Sequence, residues 1–369
     1  MMTDIVDKFF YFVRYSICHD GQFPALTDEE WEALYELSRK QSVSAFTFRT
    51  VEYLGKDATI PRKLKLKWFY LAEKIRERNA LLNRRSVELV DMFRKDGFDC
   101  CVLKGQGNAA LYPHPTDRTS GDIDLFVMPS GRHLSIDERR QLVIDYARKR
   151  FPRTGLRYLH INYPVFSDAP VELHFFPTFM NNPLYNHRIL TWMEGQMAEQ
   201  CQNMVALSEN GDSIPVPTYS FNIVYQLSHM MRHFFDEGIG LRQFLDYYFL
   251  LSAAHGHIKI DKGELERLLR HLGLRKFAGA TMYIMREVFN MEDDLMIVPV
   301  DERRGRTLMA EILRGGNFGQ YSGLRDHSAG VKYIAKIWRN LHFVREYPAE
   351  ALSEPFFRTW HFFWRLRHK

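Results

Sequence analysis

A chain of 369 residues, 46% apolar and 26% charged, is long enough for two domains or for one domain with large helical additions, and its composition is ordinary for a globular protein. No apolar run approaches the roughly 20 residues of a membrane-spanning helix, which excludes that class. The formal net charge of +5 is mild and well mixed, so it suits an anionic small molecule such as a nucleotide without singling out nucleic acid.

The N-terminus, Met1-Met2-Thr3-Asp4, carries acid and no basic start before an apolar run, so no secretory signal is expected. Four cysteines, Cys18, Cys100, Cys101 and Cys201, include no CxxC pair, which argues against a thiolate zinc site and for reduced thiols in a cytoplasmic protein. Residues 1–96 read as a helical region. Thr27-Asp28-Glu29-Glu30 is a capping box opening a helix through Trp31, Leu34 and Leu37, and a long helical pattern runs from Arg62 to Arg94. It holds few groups suited to chemistry and is expected to act as a cap or wall.

The pattern changes at Gly97. Asp99 to Leu103 predicts a strand with Cys100 and Cys101 on opposite faces, ending in Lys104-Gly105-Gln106-Gly107. A short helix through Ala109, Ala110 and Leu111 stops at Pro113 and Pro115. Ser120-Gly121-Asp122-Ile123-Asp124-Leu125-Phe126-Val127 then reads as a buried strand bearing two carboxylates on one face, with Ile123 and Leu125 on the other. Like charges side by side destabilise a sheet face unless a cation sits between them, and a divalent metal is the usual answer. The plainer alternative is a surface strand with two solvated aspartates; the apolar run Leu125-Phe126-Val127 argues against it.

A helix from Ser135 to Arg150 follows, then a hairpin: Leu156–Phe166, a turn at Ser167-Asp168-Ala169-Pro170, and Val171–Phe176. Glu172 is the best candidate for a third acid. His174, on the same face, reads as an orienting or core histidine more readily than as a catalytic one. Beyond Thr218 the chain reads as helical almost to its end. The expected fold class is α+β. A small mixed-sheet core at 97–215 lies between an N-terminal helical region (1–96) and a C-terminal one (216–369).

Lys104-Gly105, Leu111-Tyr112-Pro113, Arg118, Gly121-Asp122-Ile123-Asp124-Leu125 and Glu172-Leu173-His174 resemble an uncharacterised bacterial nucleotidyltransferase family of the DNA polymerase β-like superfamily. The resemblance extends to His229, His233, Gly238-Ile239-Gly240-Leu241-Arg242, Asp246 and Gly315-Gly316-Asn317-Phe318-Gly319. It implies a short mixed sheet with helices on one side. It also implies transfer of a nucleoside monophosphate from a triphosphate such as ATP to an acceptor hydroxyl. Asp122, Asp124 and Glu172 would hold Mg²⁺ (or Mn²⁺) in a two-metal site, with Glu172 also available as base. Lys104 and Arg118 would neutralise phosphate charge, and Gly105, Ser120 and Gly121 would let phosphate oxygens reach backbone N–H groups. The sequence departs from the superfamily pattern where Gly105 is followed by Gln106, and sixteen residues (106–121) separate Gly105 from Asp122.

His229 and His233, four apart, could bind zinc, but a wall of the cleft is the better reading. His174, Arg242 and Asn317 join them as candidate wall residues. Arg242 and Asp246 suggest a helical ion pair, and Gly315–Gly319 a tight turn or a cleft-lining loop. The aromatic and basic C-terminus, Phe356 to Arg367, is expected to pack its aromatic face on the protein with arginines outside; peripheral membrane contact is the alternative. A small molecule, sugar or protein acceptor is favoured over nucleic acid, because no dense basic stripe flanks the acids in sequence. The competing functions are a regulatory protein of the same fold without turnover, and a metal-dependent hydrolase. Asp122→Asn and Asp124→Asn are expected to abolish transfer and to leave the melting temperature nearly unchanged.

Overall fold

The computed structural model describes residues 2–132, 134–207, 211–317 and 329–367. Residues 2–95 carry four helices: α1 (Met2–Cys18), α2 (Asp28–Lys40), α3 (Ser44–Leu54) and α4 (Arg62–Lys95). At the start of α2 the Thr27 hydroxyl accepts from the Glu30 N–H, and the Glu30 carboxylate accepts from the Thr27 N–H. Asp28, Glu29 and Glu30 in the first turn and Arg39 and Lys40 in the last complement the helix dipole.

The mixed α/β part follows: β1 (Phe98–Val102), α5 (Gln106–Ala109), β2 (Ile123–Pro129), α6 (Ile136–Arg150), β3 (His160–Asn162) and β4 (Val171–His174). The four strands form one sheet in the order β1-β2-β4-β3, with β2 and β4 parallel and the other pairs antiparallel. The expected hairpin is present as β3 and β4, but its paired stretch is much shorter than 156–166 against 171–176. Pro164 has no N–H to offer a ladder, and the turn is fastened outward by Arg85, which grips Asp168.

Alternation along the strands splits the core in two. Cys100, Val102, Ile123, Leu125, Val171 and Leu173 face a cluster completed by Leu89 and Phe93 of α4 and Val143 and Ala147 of α6. Cys101, Leu103 and Phe126 belong to a second, larger cluster built mainly from helices. Helices therefore cover the back of the sheet, as expected, while helices also approach its front.

The remaining elements are α7 (Pro183–Glu194), α8 (Met197–Gln200), the ribbon β5 (Met204–Ala206) and β6 (Ser213–Pro215), and helices α9 (Tyr219–Asp236), α10 (Leu241–His257), α11 (Lys262–His271), α12 (Arg275–Phe289), α13 (Glu302–Gly315), α14 (Ala329–Leu341) and α15 (Pro348–Arg367). Helices far apart in sequence contribute to the larger cluster: Phe9, Phe12 and Trp31 share it with Ile284, Val288 and Phe289 of α12. No described helix is long and apolar enough to cross a membrane.

In α15 the expected orientation is reversed in part. Arg358 turns inward to Asp236 (2.9 Å) and to Glu354, because those two buried or half-buried carboxylates need a cation. Phe357, Trp360 and Trp364 ring Tyr158, while Phe356 is 79% exposed and Phe363 57%. Near its start, buried Glu350 accepts the N–H groups of Asn181 (2.8 Å) and Asn182 (3.1 Å), and burial pushes its carboxyl up to about 7. The folded chain thus keeps a proton that the unfolded chain releases near pH 4.3, roughly the ordinary glutamate value. The stability this provides is complete below that value and is lost as pH rises through about 7. Glu350→Gln should flatten the fall in melting temperature between about pH 4.3 and 7; an unchanged fall would contradict the assignment.

Candidate active site

The acids sit where a well-braced loop enters β2. From α4, Arg78 donates to the Gly121 carbonyl (2.9 Å), and Asn79 donates to the carbonyls of Thr116 (2.7 Å) and Arg118. Buried Asp117 is gripped by Arg49 (2.5 Å) and Arg76 (2.7 Å). The N-terminal helices therefore position the loop that carries the acids, beyond forming a wall. Arg118 forms a bidentate pair with Asp246 (2.7 and 2.8 Å), which also accepts from the Tyr112 hydroxyl (2.7 Å). Arg242 donates to the Thr119 carbonyl (2.6 Å) and feels the charge of Asp246, so α10 reaches across to this loop.

Asp124 and Glu172 are register partners on the parallel strands β2 and β4, which puts Asp122, Asp124 and Glu172 on one face. One carboxylate oxygen from each lies within 4.8 Å of the others. Asp124 is 2% exposed and takes Lys104 Nζ at 2.9 Å and His174 Nε2 at 2.8 Å. Burial alone would raise its pKa, but Lys104 and His174 hold it well below the ordinary aspartate value. Asp122 is pushed up, first by the Asp124 charge and then by burial. Glu172 is held at about 2: burial opposes ionisation, and His160, whose Nδ1 lies 2.9 Å away, and His174, at 3.6 Å, overcome it. Burial lowers the His174 pKa, and the bonds to Asp124 and Glu172 outweigh it and raise it.

Gly105 adopts φ +66°, a left-handed conformation that favours glycine, directly before α5. The Gln106 side chain is buried and donates to Asn83 on α4, pointing away from the acids. At Gly121 an added Cβ would meet no atom within 4 Å, so the space beside the acids is open.

A cleft of about 800 Å³ lies in front of these groups, walled across from the sheet by α9 and α15. Of the residues expected from sequence, it is lined by Lys104, Gly105, Arg118, Gly121, Asp122, Asp124, Glu172, His174, His229, His233 and Arg242. Ser120 stands beside it, its hydroxyl accepting from Arg118 (2.9 Å). Asn317 lies behind the wall, accepting from Gln243 (3.1 Å); Phe318 and Gly319 of the same glycine-rich stretch fall outside the described residues. His229 and His233 meet through their Nε2 atoms at 3.0 Å, and Lys104 Nζ lies 3.5 Å from His229. Burial and then Lys104 lower the His229 pKa, and burial and then Arg232 lower that of His233 to about 4, so both rings favour the neutral form.

The sequence reading missed Asn108, Arg157, His160, Tyr225, Gln226, Arg232, His361 and Arg365, which also line the cleft. The hairpin could have yielded His160, since the turn at 167–170 sets it opposite His174. Nothing local marks Arg157, His361 and Arg365, because segments some 200 residues apart meet there.

Comparison with curated proteins and with solved structures found no match. A family model described as an uncharacterised nucleotidyltransferase matches residues 27–290, a span that contains all three acids, Lys104, the bracing helix α4 and the α9–α10 wall. By that match over well more than half its length, the chain belongs to this uncharacterised nucleotidyltransferase family.

Proposed function

We propose that the cleft binds a nucleoside triphosphate with Mg²⁺ and transfers its nucleoside monophosphate to a hydroxyl of an acceptor. The observation that carries this reading is the in-register placement of Asp124 and Glu172 on neighbouring strands with Asp122 just before them, its carboxylate close to both, and with one aspartate kept ionised and the other forced up by it. That imbalance suits a divalent cation: three closely spaced oxygen donors, Asp124 buried and Asp122 and Glu172 half-buried. Mg²⁺ or Mn²⁺, held by these three carboxylates, would polarise the phosphate and favour the deprotonated acceptor hydroxyl.

The protein's own groups do the rest. Lys104, now bonded to Asp124, is placed to turn toward phosphate oxygens once a cation neutralises that carboxylate. Gly105 and Gly121 leave the backbone approachable, and Ser120 and Arg118 keep the entry loop in place. With a pKa of about 2, Glu172 is a better ligand than base. In the transfer the acceptor oxygen bonds to the α-phosphorus, the α–β bridging P–O bond breaks, pyrophosphate leaves, and the hydroxyl proton passes to water in the open cleft.

The other reading, nucleotide binding without turnover, draws on the inward-turned Gln106, which stands where the superfamily pattern has a small residue. Incubation with each α-labelled triphosphate and Mg²⁺ or Mn²⁺, together with small-molecule, sugar and protein acceptors, separates these two and simple hydrolysis. Label on an acceptor with stoichiometric pyrophosphate supports transfer. Release of free phosphate without label transfer supports hydrolysis, and metal-dependent binding without pyrophosphate supports the regulatory reading.

A further inference from the structure

The strand order separates two cationic regions of the cleft. Lys104 and Gly105 follow β1 at one edge, the acids lie at the start of β2 and on β4, and Arg157 through His160 mark the β3 edge. Three inter-strand steps of about 4.8 Å, roughly 14 Å in all, separate these edges. At the β3 edge α15 adds Arg358, His361 and Arg365. A second hollow, about 470 Å³, continues outward from Arg157 and Arg365; it is also lined by Arg148 and Arg153 and has no carboxylate in its wall.

Arg358 is already neutralised by Asp236 and Glu354. Among the described residues no ion pair engages Arg153, Arg157 or Arg365. The Nε atoms of Arg232 and Arg365 and Nε2 of His361 are buried without a hydrogen-bond partner. Burial, then Arg365 and Arg157, lowers the His361 pKa to about 4, which registers how concentrated the positive charge is at this point. Guanidinium groups without a carboxylate partner and an idle imidazole nitrogen converging on one trough are the chemistry of a site for a dianionic oxyanion.

We propose that this trough, from Arg232 and His361 outward to Arg153, is the acceptor subsite, and that the acceptor bears a phosphate monoester. The proposal rests on the nucleotidyl-transfer reading above. It lies on the far side of the acids from Lys104 and Gly105, which leaves the near side for the triphosphate. Both hollows have volumes in the range of small-molecule sites, and Tyr158 and Phe357 supply apolar walls for the body of such an acceptor. The phosphate could be carried by a soluble metabolite or by a lipid at a bilayer, beside which the exposed Phe356 and Phe363 of α15 would lie.

The test uses the full chain with Mg²⁺ and a non-hydrolysable ATP analogue. Labelled glycerol 3-phosphate, read by equilibrium dialysis, probes the soluble source. Sedimentation with phosphatidylcholine vesicles, with and without phosphatidic acid, probes the lipid source. Wild type should bind one of these probes, and the Arg157→Gln/Arg365→Gln variant should bind it at least tenfold more weakly, with analogue affinity kept within twofold. Arg153→Gln, at an exposed position, should weaken it in the same direction and guards against misfolding of the double variant. The probe affected names the source. Binding of neither probe, equal binding by the variants, or recognition only of a single-stranded oligonucleotide overturns the proposal. A parallel loss of analogue affinity reassigns the trough to the triphosphate and also overturns it. If the monoester binds and the analogue does not, the nucleotidyl-transfer reading fails and the acceptor role falls with it, leaving a phosphate site without that role.

Discussion

Asp122→Asn and Asp124→Asn should both lower transfer by about a thousandfold or more, some 4 kcal/mol of barrier, yet diverge in stability. Asp122 is held up by the charge of Asp124, so its amide removes a repulsion and should leave the unfolding midpoint unchanged or raise it. Asp124 is buried between Lys104 and His174, and its amide leaves the Lys104 ammonium and the buried His174 ring without their carboxylate; breaking such a pair costs about 3–5 kcal/mol. The sign with pH follows from the two shifts. The Asp124 pKa is depressed, so its contribution is present above about pH 3.9 and lost as acid protonates it. The His174 pKa is raised, so its contribution is complete below about pH 6.5 and lost as pH rises through its folded value. The penalty in Asp124→Asn should therefore be largest between those limits, as read by urea denaturation at a series of pH values. Equal stability of the two variants across that range would contradict the assigned roles. The sequence alone suggested that both would melt like wild type; the Lys104–Asp124–His174 contacts show why only one should.

The second large effect is expected from a residue with no place among the acids. Asp246→Ala should cost about 3–5 kcal/mol, because Arg118 and Asp246 are almost fully buried and Arg118 would be left an uncompensated charge. Transfer should fall as well, since Arg118 also holds Ser120 at the entrance to β2. Replacing both partners with apolar residues, as in Arg118→Met/Asp246→Leu, should restore much of the stability without restoring the rate. Urea midpoints and initial rates on the three proteins check this. A loss under about 1 kcal/mol in Asp246→Ala would show that the pair does not carry the loop.

The strand bearing Asp124 was legible in sequence because a period of two and an apolar end are local signals, although it begins at Ile123 and leaves Asp122 on the loop before it. The Thr27 and Ser135 helix starts were legible for the same reason, and both form reciprocal caps. The bracing of the acid-bearing loop was not, since Arg49, Arg76, Arg78 and Asn79 reach it from helices that look featureless alone. Arg118 reads as a phosphate ligand by residue type, whereas its guanidinium is engaged by Asp246, a partner 128 residues away. The arginine trough was invisible because Arg157 and Arg365 come together only when α15 returns to the sheet edge.

The central claim, that Asp122, Asp124 and Glu172 form a metal-nucleotide site, is tested most directly by titrating Mn²⁺ into the protein with a non-hydrolysable ATP analogue and following free Mn²⁺ by electron paramagnetic resonance. The account predicts nucleotide-dependent uptake of Mn²⁺ by wild type and its loss in Asp122→Asn, the variant expected to stay fully folded. Uptake by Asp122→Asn equal to that of wild type would contradict it.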